Sequence, residues 1–238
     1  MHGYIIHLAR SSARRANVEA LRAALPFACD VVEAVDGAAL TQAERDAAYR
    51  PRLHRPRYPF ALNGAEIGVF LSHRRAWASI AASGRADGLV LEDDAAIDAA
   101  QLQAVLALLE AAPQARPRYI LLPPEPPYVG MLAPPTLTAP RVPPARAIAQ
   151  IVSASAAAAL LERTSPFDRP VDSLLQMPWV TGIQLAVARP SGVATIAAQL
   201  GGSTISRRDL PALGRIQREI ARPAYRAKLA LYARLRGL

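Results

Sequence analysis

Short apolar, β-branched runs alternate with helical stretches along most of this 238-residue chain, and that alternation constrains its fold more than any other feature. Residues 4–8 give a strand signal that ends at Arg10-Ser11, and 12–25 have the apolar spacing of a helix. A second strand at 30–35 closes at Asp36-Gly37; 38–49 then reads as a helix, with Thr41 and Glu44 at capping-box spacing. Alternating prolines and arginines over 50–59 predict an irregular loop. The longest body helix is predicted over 64–83, with Ile67, Phe70, Leu71, Trp77 and Ile80 near one face and Gly84 at its end. Strands at 88–91, 119–122, 148–152 and 183–187, with helices at 99–112 and 153–163, complete the pattern. From 113 to 144, 11 of 32 residues are proline, which predicts a long loop. Such an order implies an α/β sandwich, a single domain over 1–206 around a mostly parallel central sheet.

Composition removes several alternatives. With 52% hydrophobic residues the chain can build one core, although 50 alanines and only 5% aromatics make it a core of small side chains. The longest uncharged alanine-rich run, 147–161, has 15 residues, short of the roughly 20 that span a bilayer. No basic segment followed by a long apolar one opens the sequence, so a cytoplasmic chain is expected. Cys29 is the sole cysteine, which excludes an internal disulfide and a cysteine zinc cluster.

Charge is unevenly spread. The net charge is +9, of which residues 207–238 carry +7 and the first 206 residues only +2. A near-neutral body with a basic tail does not read as a nucleic-acid-binding protein, and the tail's only aromatics are Tyr225 and Tyr232. Along 214–238, Ile216, Ile220, Tyr225, Leu229, Tyr232 and Leu235 recur at mostly helical spacing. They predict an amphipathic helix interrupted at Pro223, suited to an anionic membrane surface or an anionic acceptor; a helical pair packed on the body is the alternative.

Chemistry concentrates where strands end. The strand at 88–91 runs directly into Glu92-Asp93-Asp94. Alternation along an extended chain puts Glu92 and Asp94 on one side and Asp93 on the other. Packed carboxylates repel unless compensated, and a hard divalent ion shared with a diphosphate, Mg²⁺ or Mn²⁺, would compensate them; a solvated acidic turn is the alternative. Arg10, Ser11 and Arg14 open the first helix, where hydroxyls, free N–H groups and guanidinium groups suit phosphate oxygens. Ser72-His73 lies inside a helix with no second histidine at metal-binding spacing, which argues against a zinc hydrolase.

Four blocks in this order resemble glycosyltransferase family 25: Ile6-His7-Leu8 through Arg10-Ser11 to Arg14-Arg15, then Ala34-Val35-Asp36-Gly37, then Glu66-Ile67-Gly68 through Leu71-Ser72-His73 to Ala76-Trp77, then Leu91-Glu92-Asp93-Asp94. The resemblance implies a GT-A-type, Rossmann-like fold, a UDP-sugar donor, most often UDP-galactose, a divalent metal (Mn²⁺ or Mg²⁺), and inversion at the anomeric carbon. It places Arg10, Ser11, Arg14 and Asp36 at the nucleotide, Glu92, Asp93 and Asp94 at the metal and ribose, and Glu66, Ser72 and His73 along the donor or acceptor pocket. The acceptor implied is a glycan or lipid-linked oligosaccharide hydroxyl, met at the inner-membrane surface. Asp172, in a Pro-Val-Asp block similar to the family's, is expected to be the catalytic base, with Glu66 in reserve. Residues 147–155 depart from the family's Gly-Thr-x-x-Tyr segment, and that departure carries the competing reading, a non-catalytic relative that binds a nucleotide-sugar or a protein partner.

Overall fold

Strand β1 (His2–His7) has five of its six residues buried, because it sits inside a sheet covered on both faces. The computed structural model describes residues 1–111, 118–125, 134–202 and 212–236, with side chains described from 219 onward in the last segment. The remaining elements are α1 (Arg15–Ala24), β2 (Cys29–Glu33), α2 (Gln42–Ala48), α3 (Gly64–Ala82), β3 (Asp87–Glu92), β4 (Ala95–Ile97), α4 (Ala99–Ala111), β5 (Tyr119–Leu121), β6 (Thr136–Thr138), β7 (Ala149–Ser153), α5 (Ala154–Arg163), α6 (Val171–Leu175), α7 (Pro178–Thr181), β8 (Leu185–Arg189), β9 (Val193–Thr195) and α8 (Ala212–Leu235).

Seven strands form one sheet in the order β2-β1-β3-β7-β5-β8-β6. β1 runs parallel to both β2 and β3, and β5 parallel to β8. β7 lies antiparallel between β3 and β5, and β6 antiparallel on the edge beside β8, so the sheet is mixed, with a parallel N-terminal half. Side chains alternate faces along β1: Tyr4 and Ile6 join a core under α3, α5 and α8, while Ile5 joins the opposite core under α1 and α4. Cys29 is buried and carries a free thiol.

Where strong signals bounded an element, the structure follows them closely. α3 begins at the expected Gly64, and Thr41 and Glu44 close both bonds of the capping box of α2. Four short elements lay outside the sequence expectation: α6, α7, and the pair β4 and β9, which form a small second sheet. β6 arises within the proline-rich interval, where an edge position tolerates flanking prolines; residues 112–117 and 126–133 of that interval lie outside the described part.

The tail corrects one expectation. α8 continues through Pro223 instead of breaking there. Pro223 is exposed, so water can satisfy the carbonyl freed by its missing N–H. Tyr225 and Leu229 are 8% and 1% exposed and belong to the main core, whereas Ile220, Leu231 and Leu235 are exposed. Among the described residues no helix is long and apolar enough to cross a membrane.

Candidate active site

Parallel pairing brings the carboxyl ends of β1, β2 and β3 to one sheet edge, which is where ligands enter an open α/β sheet. The loop after β2 is pressed onto the start of α3 so tightly that only glycine fits. A Cβ on Gly37 would come within 1.9 Å of the Gly64 carbonyl oxygen, and one on Gly68 within 2.6 Å of the Val35 carbonyl oxygen. Ser72 locks the contact: its Oγ accepts from Val35 N at 2.8 Å and donates to the Gly68 carbonyl at 2.7 Å. Asn63 and Glu66 cap α3 reciprocally, which holds the Glu66 carboxylate at the helix start.

The acidic triplet is not a solvated turn. Asp93 and Asp94 are 5% and 8% exposed. Asp93 accepts from Arg14 Nη1 at 2.5 Å and pairs with His7 Nδ1 at 2.8 Å. Arg14, itself buried, also lies 3.5 Å from Asp94 and donates to the Gly202 carbonyl, so its guanidinium is committed to holding the carboxylates. Asn17 Nδ2 donates to the carbonyls of Asp93 and Ala95, and Ile196 N to that of Asp94, so the turn is fixed from α1 and from the residue after β9. Burial first, and then repulsion from Glu92, push the Asp94 carboxyl up to about 6, against the pull of Arg14. Its Oδ1 is buried without a hydrogen-bond partner.

Two cavities open at this edge. The first, of about 440 Å³, has apolar walls from Ile6, Leu8, Val35, Ala65 and Val69 and polar groups from Arg10, Arg14, Asp36, Arg45, Ser72, His73, Glu92 and Asp93. At its rim Arg10 Nε donates to Asp36 at 2.6 Å; that hydrogen bond is the main reason the Asp36 carboxyl lies below the ordinary range. Ser11 precedes the 3₁₀ turn Ser12–Arg14, makes no side-chain cap bond and lines neither cavity.

The second cavity, also about 440 Å³, shares Glu92 and Val69 with the first and adds Tyr58, Phe60, Glu66, Asp94, Arg146 and Asp172, with Arg222, Tyr225 and Arg226 from α8. Strand direction explains the sharing. β3 has parallel β1 on one side and antiparallel β7 on the other, so the segment entering β7 meets the end of β3, and Glu92 N donates to the Ile148 carbonyl.

A buried chain of hydrogen bonds steadies Glu92. Tyr119 Oη donates to Gln150 Oε1 at 2.5 Å, which turns the Gln150 amide nitrogen toward the Ala147 carbonyl and His73 Nδ1. With Nδ1 accepting, His73 carries its proton on Nε2 and donates it to Glu92 Oε1 at 3.2 Å. Asp172 is held from both ends: Oδ2 accepts from Arg146 N at 3.2 Å and Oδ1 from Ser173 N at 2.7 Å. Arg169, fully buried, seats α8 beside this cavity. It pairs with Asp168 at 2.7 Å and donates to the His54 and Pro56 carbonyls and to Tyr225 Oη.

The family model for glycosyltransferase family 25, described as an LPS biosynthesis protein, matches residues 1–122. The chain belongs to glycosyltransferase family 25. It is also 34% identical over 94 residues to procollagen galactosyltransferase 1 of Danio rerio, a stretch that covers 38% of this chain and 16% of that protein. The span matched to glycosyltransferase family 25 contains every residue lining the first cavity, whereas the second also draws on 145–148, 170–176, 195–197 and 222–226.

Of the residues singled out in the sequence, Arg10, Arg14, Asp36, Ser72, His73, Glu92 and Asp93 meet at the first cavity, and Glu66, Glu92, Asp94 and Asp172 at the second. Missed were Arg45, Tyr58, Phe60, Asn17 and Gln150, which stand outside the family 25 blocks; the α8 arginines were read only as part of a basic tail, and the structure brings Arg222 and Arg226 to the second cavity. A divalent ion fits this donor set: Glu92 and Asp94 are two hard oxygen donors, and the unpartnered Asp94 Oδ1 lacks the cation or donor that its burial requires. Among the described residues no group of three or more acidic, histidine or cysteine side chains could hold a metal, so these two carboxylates alone would leave most of an ion's coordination to other oxygens.

Proposed function

We propose that this chain is an inverting hexosyltransferase with a GT-A fold that moves galactose from UDP-galactose to a hydroxyl of a glycan or lipid-linked oligosaccharide. The observation that carries the proposal is the meeting of two cavities at Glu92, which offers a donor and an acceptor adjacent places on opposite sides of one carboxylate. A second cavity that carries Asp172 beside Glu92 and Asp94 favours catalysis over a role in nucleotide-sugar binding alone.

The nucleoside lies against the apolar walls of the first cavity, and Arg10 and Arg45 face the diphosphate, where negative charge grows as the C1–O bond breaks. Mn²⁺ or Mg²⁺, held by Glu92 and Asp94, would supply further neutralisation of that diphosphate. Arg14 and His7 occupy the Asp93 carboxylate, which leaves Glu92 and Asp94 as the carboxylates open to an ion. On the opposite face Asp172 takes the proton of the acceptor hydroxyl as it attacks C1, with its lone pairs aimed by the Arg146 and Ser173 N–H groups.

Calorimetric titration tests the donor side. UDP-galactose is expected to bind more tightly with Mn²⁺ than with EDTA, and Asp94→Ala to abolish the difference. Equal affinities under these conditions would remove the metal from the reading, and failure of UDP to bind at all would remove the nucleotide-sugar.

The same reading places the protein against an anionic membrane. Among the described residues three of the six exposed large hydrophobics, Ile220, Leu231 and Leu235, lie on α8, accompanied by Lys228 and Arg234. Replacing the three by serine is expected to abolish salt-sensitive co-sedimentation with anionic vesicles. Unchanged sedimentation would leave α8 a purely packed helix.

A further inference from the structure

The second cavity is lined by three arginines that the pairing seen among the described residues leaves over. Arg146, Arg222 and Arg226 line it, and none of their guanidinium groups has a hydrogen-bond, ion-pair or ring partner among the described residues. The carboxylates beside them are engaged: Asp172 by the Arg146 and Ser173 N–H groups, Glu66 by Asn63 N, Glu92 by His73. Two features hold the arginines at this place. Arg146 adopts φ 76°, a left-handed conformation disfavoured for a residue with a Cβ, and its N–H is fixed by Asp172. Arg222 and Arg226 are one helical turn apart on either side of Tyr225, which is seated by Arg169 and stacks edge-on against Tyr58.

We infer that the second cavity binds a saccharide carrying an anionic group, a phosphate or a carboxylate, close to the accepting hydroxyl, and that Arg146, Arg222 and Arg226 hold that group. Guanidinium groups present paired donors that match both anions in geometry, and three like charges lining one cavity repel one another until an anion joins them. The inference rests on the second cavity being the acceptor side of the proposed transferase. It gives the acceptor a chemical class: an acidic or phosphorylated sugar.

The test uses the full chain saturated with UDP, so that phosphate contacts in the first cavity are already occupied, titrated with methyl glucoside, its 6-phosphate and methyl glucuronide. At least one anionic ligand is expected to bind about tenfold or more tightly than the neutral glycoside, to weaken with added NaCl, and to lose its advantage in the Arg222→Ala/Arg226→Ala double variant. The stronger of the two identifies phosphate or carboxylate as the recognised group. Both side chains are exposed, and circular dichroism checks the fold; Arg146→Ala, off the helix, gives the same readout should α8 be disturbed. Equal binding of neutral and anionic glycosides, no binding by either anion, or an undiminished preference in the variants overturns the inference. UDP titrated alone reports on the donor reading separately: loss of UDP binding with retained anion preference would sink that reading and leave the anion site standing.

Discussion

Asp172→Asn is expected to lower kcat for transfer from UDP-galactose by about 10²-fold or more while leaving UDP affinity unchanged. Asparagine preserves the volume of the side chain and removes the group that accepts a proton. It also makes a specific demand on the surroundings, since Asp172 accepts an N–H at each oxygen. An amide has one acceptor oxygen, which the shorter bond to Ser173 N will retain, so the Arg146 N–H loses its partner. A purely structural role would therefore act through the Arg146 loop, raising the acceptor KM with kcat preserved. A base role lowers kcat and removes the fall in rate on the acid side of the pH profile. Normal kcat with an intact acid limb would move the proton to Glu66, the other carboxylate of this cavity outside the acidic triplet.

Arg169→Met is expected to cost about 3–5 kcal/mol of stability, because it leaves the carboxylate of Asp168 buried with its charge uncompensated. That is a large part of the roughly 5–15 kcal/mol that holds a typical domain. Only the His54 N–H, at 3.0 Å from Asp168 Oδ2, would remain to the acid. The same substitution removes the 2.7 Å bond to Tyr225 Oη, so α8 is expected to loosen and its arginines to become sites for trypsin. Denaturant unfolding measures the first effect and limited proteolysis the second. Should Arg169→Met fail to fold, Tyr225→Phe removes the bond to α8 alone, at about 1 kcal/mol, and still exposes the helix to cleavage. An unchanged unfolding midpoint together with an uncut α8 would show that the helix is seated by its apolar contacts and not by Arg169.

Much of the site could be read in the chain because its signals are local. The hydrophobic run of β3 stops at Glu92, so the acids had to emerge at a strand end; two-residue alternation predicts Asp93 opposite Glu92 and Asp94, but 93 and 94 stand in a turn and Asp93 lines the first cavity with Glu92. The structure puts Asp93 on His7 and Arg14 and leaves Asp94 facing the second cavity. The four blocks within residues 1–122 likewise gave glycosyltransferase family 25 before any fold was known. Their glycines acquire a physical reason only in three dimensions, where Gly37, Gly64 and Gly68 allow the loop after β2 to touch the helix backbone.

What local pattern determined is the succession of elements, the capped start of α3, the acidic strand end and a basic, amphipathic last helix. What tertiary structure alone decided is which charges meet. Arg14 looked free for a phosphate and instead neutralises Asp93, while Arg222 and Arg226 of α8, 50 and 54 residues after Asp172, come to line the same cavity as that acid. Periodicity reports which face of a helix is apolar, and not what that face will cover. Tyr225 and Leu229 fit a membrane or a protein core equally well as a pattern; in the fold both join the core, where the buried Arg169 donates to the Tyr225 hydroxyl. Long-range pairing of this kind leaves no spacing in the sequence, because it depends on the free energy of burying a charge and not on the order of the residues that satisfy it.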